Sequence, residues 1–334
     1  MEPITIDICT RNRYFATLPS ALLSLCLQTS SSIKELILYD DTPEKQRVDL
    51  REHEIYRYIF DLLNARDIQW KVIFGSGRGQ HIGHQIIQQE AKYPLIFRYD
   101  DDEILNANVI EILETNFTNT TGAKAGLVLL PNAPHKICPA NLISNIQDNC
   151  QWYKWYGLKK CEHLYSSYLY RKGIQDFNIN LSPVAHTEET QHTYGLYKKG
   201  YELYVDPRAV TYHLRASDGG IRSGKQDDWY RDEIAFREVL REYNGELTCL
   251  LDSGKGDHIV FKSILPLLKQ KYKSVKLAVC YPEIFPEEQC ISIAEGKKIC
   301  NPERHNIFKY MIDHNWKDRE YKYAYAELYG IKIE

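Results

Sequence analysis

An acidic run closely follows an apolar segment in the first third of the chain. Residues 93–97 are mainly apolar, and three consecutive aspartates, Asp100, Asp101 and Asp102, follow after two further residues. Carboxylates crowded at the end of a buried strand repel one another unless a proton or a cation compensates them. Carboxylate oxygens suit Mg2+ and Mn2+, and open α/β sheets bind ligands beyond the carboxyl ends of their strands. The run therefore predicts a site for a metal ion and a diphosphate. Taken alone, it is explained equally well by a solvated acidic turn that caps the next helix.

Hydrophobic periodicity predicts strands that alternate with helices. The predicted strands cover 4–9, 34–39, 70–74, 93–99 and 125–130, and the predicted helices cover 18–27, 51–63, 81–91 and 108–116. In the second helix, the spacing predicts that Ile55, Ile59 and Leu62 share the apolar face. Strands separated by helices form right-handed βαβ units with a mostly parallel sheet. We therefore expect an α/β fold with the aspartates at the carboxyl edge of the sheet.

Length and composition are those of a globular protein with a substantial core. The 334 residues suggest two domains, or one large α/β unit with an appendage, and 43% of the residues are hydrophobic. The net charge of −3 provides no overall basic field for nucleic acid or for an anionic membrane. No apolar run approaches the roughly 20 residues that span a bilayer, and no charged-then-apolar leader precedes the first predicted strand. We therefore expect a cytoplasmic protein without a transmembrane segment.

The chain contains nine cysteines, an odd number, and none of them forms a CxxC pair. This spacing argues against a disulfide framework and against a structural zinc site. Free, buried thiols in a reducing compartment are the expected state.

A second group of polar residues lies between positions 187 and 213. Glu188 and Glu189 begin a predicted helix that ends at Gly200, and a predicted strand leads from there to His213. Each feature has an ordinary explanation, since acidic residues favour the positive end of a helix dipole and a histidine is common at a surface. Their order and their spacing after the aspartates nevertheless favour a functional role.

Four blocks of this sequence, in order, resemble the family 2 nucleotide-sugar glycosyltransferases, which have the GT-A fold. The blocks cover roughly residues 1–240. They are the opening strand and turn at 4–13, the strand with paired aspartates at 36–41, the aspartate-bearing strand at 97–103, and Glu188-Glu189 with Gly200-Tyr201 and His213. Each block is weak by itself, but all four in register are specific.

The resemblance implies a role for each matching residue. Asp102 and His213 would hold the divalent cation, Mn2+ or Mg2+, and Asp100 would touch the ribose or the water shell of the cation. The donor nucleotide would be contacted by a larger set: Thr10, Arg13, Asp40, Asp41, Arg78, Asp100 and Asp101. Glu189 would be the general base, and Glu188 would share or exchange this role, because the family usually has aspartate where Glu189 stands. A second departure is Thr42-Pro43, which stands where the family has Gly-Ser.

The expected activity is metal-dependent transfer of a sugar from a nucleotide-sugar, with UDP-sugar as the commonest donor, to a hydroxyl of a glycan or another acceptor. A single carboxylate base without a separate nucleophile implies inversion at the anomeric carbon. Three alternatives remain: a non-catalytic module that keeps the fold, a transferase that acts on modified DNA, and a nucleotidyltransferase. The second rests on basic residues at Lys154, Lys159, Lys160, Arg171 and Lys172. The third lacks its glycine-rich phosphate loop, because residues 9–12 contain no glycine.

The C-terminal part forms a separate predicted unit. We expect a catalytic domain at 1–243 and a small α/β domain at 244–334. A strand at 247–251, a tight glycine turn at 254–258, a helix at 259–271 and a strand at 275–280 resemble the first βαβ unit of heptosyltransferase-like GT-B enzymes. Without a partner lobe, this unit is expected to serve docking, oligomerisation or acceptor binding. A tyrosine-rich helix at 310–329 is expected to pack on it.

Overall fold

The computed structural model of the chain describes residues 1–130, 158–216, 226–316 and 320–333. The chain divides into two compact units, Met1–Asp228 and Trp229–Glu334.

A mixed sheet of nine strands forms the centre of the first unit, counted over the described residues. The strands are β1 (Ile4–Thr10), β2 (Ile33–Asp40), β3 (Gln69–Phe74), β4 (Leu95–Asp100), β5 (Glu103–Leu105), β6 (Thr121–Leu129), β7 (Lys159–Cys161), β8 (Tyr168–Arg171) and β9 (Glu202–His213). Their order is β3-β2-β1-β4-β8-β6-β9-β5, and β7 pairs with β9. The helices of this unit are α1 (Leu18–Cys26), α2 (Glu54–Ala65), α3 (Gln80–Glu90), α4 (Val109–Glu114) and α5 (Glu188–Lys198). Short 3-10 turns occupy Glu44–Gln46 and Leu50–Glu52.

The first four strands are parallel, which brings their carboxyl ends to one edge. Thr10 pairs with Asp40, and Cys9 pairs with Asp100. Antiparallel pairing of β5 with β9 places Glu103 opposite His213. Residues that are far apart in the sequence therefore meet at this edge, which confirms the predicted α/β architecture with aspartates at its carboxyl end.

The two faces of β1 carry different side chains. Ile4, Ile6 and Ile8 belong to a large apolar core together with residues of α1 and α2. Successive side chains of a strand point to opposite faces, so Asp7 and Cys9 lie on the other face. Cys9 belongs there to a second core that includes residues of α3 and α5.

The predicted apolar face of the second helix is wrong in part. In α2, Ile59 is buried, but Ile55 and Leu62 are 39% and 40% exposed. The buried face also contains Tyr56, Phe60 and Leu63. The ring of Phe60 stacks on Trp70 of β3 at 3.8 Å. The larger aromatic rings gain more from burial than Ile55 and Leu62 would, so they determine how the helix is rotated.

The second unit contains a small parallel sheet of β10 (Glu246–Leu251), β11 (Ser274–Val279) and β12 (Cys290–Ile291). Its helices are α6 (Gln226–Tyr243, which begins three residues before the unit boundary), α7 (Lys255–Lys262), α8 (Leu265–Lys271), α9 (Ile293–Gly296), α10 (Ile307–Asp313) and α11 (Tyr321–Leu328). A 3-10 turn occupies Pro282–Ile284.

Four details differ from the sequence predictions. The glycine turn is the beginning of α7, with Gly254 as its N-cap. The single predicted helix at 259–271 is two helices, because Pro266 lies in the first turn of α8 and cannot continue a preceding helix. The tyrosine-rich tail forms α10 and α11 instead of one helix. The two units divide near the beginning of α6 and not after its end. Glu238 of α6 pairs with Arg304 and His305, which belong to the second unit.

Among the residues that the structure describes, no helix is both long enough and apolar enough to cross a membrane.

Candidate active site

Asp100, Asp102 and His213 meet at the carboxyl edge of the sheet. One ligand atom from each residue lies within 4.8 Å of the other two. Nε2 of His213 is 4.0 Å from Oδ2 of Asp100, and Nδ1 is 3.8 Å from Oδ1 of Asp102. Pairing of β9 with β5 brings the histidine to the aspartates. The structure thus assembles the three residues that the sequence suggested as metal ligands.

The donor set of these three residues suits a hard or borderline divalent cation. Carboxylates are typical ligands of Mg2+ and Mn2+, and the imidazole favours Mn2+ over the harder Mg2+. The backbone N–H of Arg215 donates a hydrogen bond to Nδ1 of His213 (3.1 Å). A neutral His213 ring that accepts this hydrogen bond at Nδ1 carries its proton on Nε2. The ring can therefore bind a cation only after the Arg215 N–H has released Nδ1.

Arg13 lies against the same carboxylates. Its Nη1 is 2.5 Å from Oδ1 of Asp101 and 3.2 Å from Oδ2 of Asp102. The hydroxyl of Thr10 donates to Asp101 as well (2.7 Å). Burial raises the pKa of Asp101 to about 6, although the Arg13 guanidinium opposes this shift. Arg13 and Thr10, which the resemblance places at the donor nucleotide, here stabilise the acidic run.

The paired aspartates after β2 organise neighbouring loops. Asp40 accepts hydrogen bonds from the Tyr14 hydroxyl (2.6 Å) and the Thr42 amide (3.0 Å). Asp41 accepts from the backbone N–H groups of Gly77 (2.8 Å) and Gly79 (2.9 Å). These glycines have φ values of 75° and 107°, which side-chain-bearing residues rarely adopt.

Asp41 therefore shapes the loop at residues 75–79, which follows β3. Within this loop the side chain of Arg78 is exposed.

The paired glutamates at the beginning of α5 differ sharply in environment. Glu188 is fully buried and accepts hydrogen bonds from Arg98 and from Nε2 of Gln80 (3.3 Å). Glu189 is partly exposed. Burial, followed by the charge of Glu188, raises the pKa of Glu189 to about 7. Glu189 therefore combines access to solvent with a pKa suited to proton transfer near neutral pH.

Arg98 connects the glutamates to the acidic run, and the sequence predictions did not include it. Its guanidinium is buried, lies 3.0 Å from Oδ1 of Asp100, and pairs with Glu188. Arg98 and Asp100 are two residues apart on β4 and so share a face. A charged residue inside an otherwise apolar strand is the signal that could have identified it. Ser166 was also missed; its hydroxyl donates to Glu103 and to Asp100 (3.3 Å).

Two of the five basic residues that suggested modified DNA are paired with carboxylates. Lys160 pairs with Glu202 at 2.7 Å, and Arg171 pairs with Glu2 at 3.2 Å. Nζ of Lys172 donates to the backbone carbonyl of Ala91. Lys154 lies outside the described residues. The two ion pairs lower the positive charge that the group offers to a polyanion.

No protein-family model and no curated protein sequence matches the chain. Solved structures are similar to it, and they are glycosyltransferases of the GT-A fold. One is the crystal structure of GalNAc-T7 with UDP, GalNAc and Mn2+, with a TM-score of 0.54, 12% identity, and coverage of 89% of this chain and 56% of that chain. Another is S. aureus TarS, with a TM-score of 0.47, 11% identity, and coverage of 73% and 43%.

The likeness to GalNAc-T7, together with the mixed sheet, shows that this chain has the GT-A glycosyltransferase fold. The chain spans little more than half the length of that neighbour.

Proposed function

We propose that the protein is a metal-dependent glycosyltransferase of the family 2 type that moves a sugar from a nucleotide-sugar to an acceptor hydroxyl with inversion. The observation that carries the proposal is the cluster of Asp100, Asp102 and His213 at the carboxyl edge of a GT-A sheet. Ligands of open α/β sheets bind at this edge, and the cluster offers the charge and the ligand atoms that a cation–diphosphate complex requires.

Each proposed residue has a role that its surroundings support. A divalent cation, when bound by Asp100, Asp102 and His213, would compensate the charge that develops on the departing nucleoside diphosphate. Arg78, exposed in the loop that Asp41 shapes, supplies a second positive group for the phosphates or the ribose. Thr10, Arg13, Asp40 and Asp101 act by holding the strand ends in place around the nucleotide.

Glu189 accepts the proton of the acceptor hydroxyl in this proposal. Its raised pKa leaves a substantial fraction of the carboxylate ionised at neutral pH while making that carboxylate a stronger base. Glu188 keeps the first turn of α5 against β4 through Arg98. A single carboxylate base that activates the acceptor directly leads to inversion by one displacement.

A UDP-sugar is the preferred donor, and a glycan is the preferred acceptor. UDP and GalNAc are bound in the structure of GalNAc-T7, and this likeness in fold is the support for the donor base. Modified DNA is a weaker acceptor candidate, because two of the five residues that suggested it are paired with carboxylates. We assign donor chemistry to the first unit and acceptor docking or oligomerisation to the second.

Release of nucleoside diphosphate from a panel of sugar nucleotides tests the proposal. We expect wild-type protein with Mn2+ to release UDP from at least one UDP-sugar, and Asp102→Ala to release none. A non-catalytic module would bind UDP with Mn2+ in calorimetry but release nothing from any donor, with or without candidate acceptors. A nucleotidyltransferase would release pyrophosphate from a nucleoside triphosphate instead.

A further inference from the structure

Asp7, Cys9 and His84 form a second cluster of potential metal ligands beside the acidic run, since Cys9 pairs with Asp100. Asp7 and Cys9 lie on one face of β1, and His84 lies on α3, which covers that face. Nδ1 of His84 is 2.8 and 2.9 Å from the two carboxylate oxygens of Asp7, and it is 3.5 Å from Sγ of Cys9. One ligand atom from each residue lies within 4.8 Å of the other two. A carboxylate, a thiol and an imidazole thus converge on one point.

The close approach of α3 to β1 depends on Gly83. A Cβ atom at this position would lie 2.6 Å from Sγ of Cys9 and 2.4 Å from a ring carbon of Tyr39. Such contacts are too short for any side chain, so glycine is required there. The missing side chain lets the helix lie close enough for His84 to reach Asp7.

If the cluster is only a hydrogen-bonded part of the core, a neutral His84 leaves one buried polar atom without a partner. Asp7 and His84 are almost completely buried. If Nδ1 of a neutral His84 donates to Asp7, Nε2 is left without a proton. Nε2 is buried, has no hydrogen-bond partner among the described residues, and lies 3.8 Å from the buried carboxylate of Glu188. An unpaired acceptor that faces a carboxylate is unfavourable in a buried site.

We propose that Asp7, Cys9 and His84 bind a transition-metal ion of the Zn2+ type through the carboxylate, the thiolate and Nδ1. Binding at Nδ1 moves the ring proton to Nε2, where the N–H faces Glu188. Metal-bound histidines usually direct their second N–H at a carboxylate or a carbonyl, so occupancy resolves the unsatisfied atom. A thiolate with an imidazole favours Zn2+ over the harder Mg2+, which distinguishes this site from the cluster at Asp102.

Binding of the ion should release a defined number of protons. Burial, followed by the charges of Asp7 and Glu188, raises the pKa of Cys9 well above its ordinary value, so the thiol is protonated before the ion binds. The S–H bond breaks as the metal–sulfur bond forms, and that proton leaves to solvent. On a neutral His84 ring, the proton only changes nitrogen. Uptake of the ion should therefore release about one proton.

A comparable set in the second unit, Glu238, Cys300 and His305, serves as the internal control. Nη1 of Arg304 lies 3.3 Å from Glu238, and both nitrogens of His305 have partners, Glu238 at 2.5 Å and the Tyr329 hydroxyl at 2.8 Å. The arginine already supplies the positive charge, so no ion is needed there.

Titration of the metal-free full-length chain with Co2+ tests the site, and it requires no transferase activity. We expect a thiolate-to-cobalt charge-transfer band that saturates near one equivalent, release of about one proton per ion, and displacement of Co2+ by Zn2+. Cys9→Ser and His84→Gln should lose the band, whereas Cys300→Ser and Asp102→Ala should keep it. These controls also exclude the acidic run, which contains no thiol.

Three results would overturn the inference. They are the absence of a band in the wild-type chain, a band that Cys300→Ser removes, and a band that Cys9→Ser retains. The last result would place the ion at another thiol, including Cys138 and Cys150, which lie outside the described residues. Circular dichroism and melting of each variant ensure that a lost band reflects a lost ligand. If Cys9→Ser does not fold, His84→Gln decides the question, because the band of the proposed site is lost in that variant and kept in Cys300→Ser.

Discussion

Nη1 of Arg13 lies 3.2 Å from Oδ2 of Asp102, a carboxylate that the proposed function assigns to the cation. The same nitrogen bonds Asp101 at 2.5 Å. A guanidinium so close to this proposed metal ligand supplies charge that the cation would otherwise supply. Arg13 therefore both stabilises the acidic run without metal and repels an incoming cation.

Replacement of Arg13 tests this relationship. We expect Arg13→Met to bind Mn2+ more tightly, on the order of tenfold or more, because a neighbouring positive charge is removed. Its melting temperature without metal should fall, since Asp101 and Asp102 lose their partner. Mn2+ affinity from electron paramagnetic resonance provides the measurement, and Arg11→Met is the matched control, as Arg11 lies 3.9 Å from Asp41 and not on the run. Weaker UDP binding with unchanged Mn2+ affinity would instead place Arg13 at the nucleotide.

Removal of the metal should abolish the activity of the protein. EDTA, or Asp102→Ala, should abolish release of nucleoside diphosphate, because the charge of the leaving group is then uncompensated. Activity should return when Mn2+ is added to the chelated wild type but not to the variant. Full turnover in chelator would contradict the metal-dependent mechanism.

The two glutamates of α5 should respond differently to loss of charge. Glu189→Gln should lower kcat by roughly a hundredfold or more while leaving the donor KM nearly unchanged, as expected for a general base. Glu188→Gln should mainly lower the melting temperature, because Arg98 then lacks a buried partner. Steady-state kinetics and melting curves of both variants provide the comparison. A normal kcat in Glu189→Gln with a collapsed kcat in Glu188→Gln would exchange the assignments.

The pH profile should report the ionisation of Glu189. Its pKa is raised from 4.5 to about 7, so kcat should fall about tenfold per pH unit below pH 7 as the base becomes protonated. Because the folded state holds this proton more tightly than the unfolded state, the same carboxyl lowers stability as pH rises from 4.5 to 7. In Glu189→Gln, measured between pH 5 and 9 (roughly the range that brackets this pKa), the fall in kcat should be absent. The loss of stability should be smaller but still present, because the raised pKa of Asp101 contributes to it as well. An acid limb that persists in this variant would identify another base.

The boundary between the units sets where the chain can be shortened. Glu238 of α6 pairs with Arg304 and His305, so a chain that ends at Tyr243 keeps a helix whose partners are gone. We expect a chain that ends at Asp228 to be monodisperse in size-exclusion chromatography and to keep donor hydrolysis, because every proposed donor-site residue precedes that point. We expect the chain that ends at Tyr243 to aggregate or to melt at lower temperature. The opposite order would assign α6 to the first unit.

The sequence by itself determined the first four strands and the position of the acidic run. Apolar alternation identified β1, β2, β3 and β4 to within two residues at each end, since a strand that is buried in a sheet must present a local pattern. Parallel strands end at one edge, so the aspartates after β2 and β4 were expected to meet there. The rotation of α2 was not determined, because two apolar faces compete locally and only packing against Trp70 decides between them.

Only the tertiary structure decided which polar groups meet. Arg98 and Glu188 are ninety residues apart, and Asp7 and His84 are seventy-seven residues apart. The cysteine spacing argued against a structural zinc site because it contained no local pair, whereas the proposed thiol site takes its ligands from a strand and a distant helix. Contacts of this kind depend on how closely two elements pack, which Gly83 controls for α3 and β1. A local sequence pattern indicates which residues form a helix or a strand, but it does not indicate how far apart two such elements lie in the folded chain.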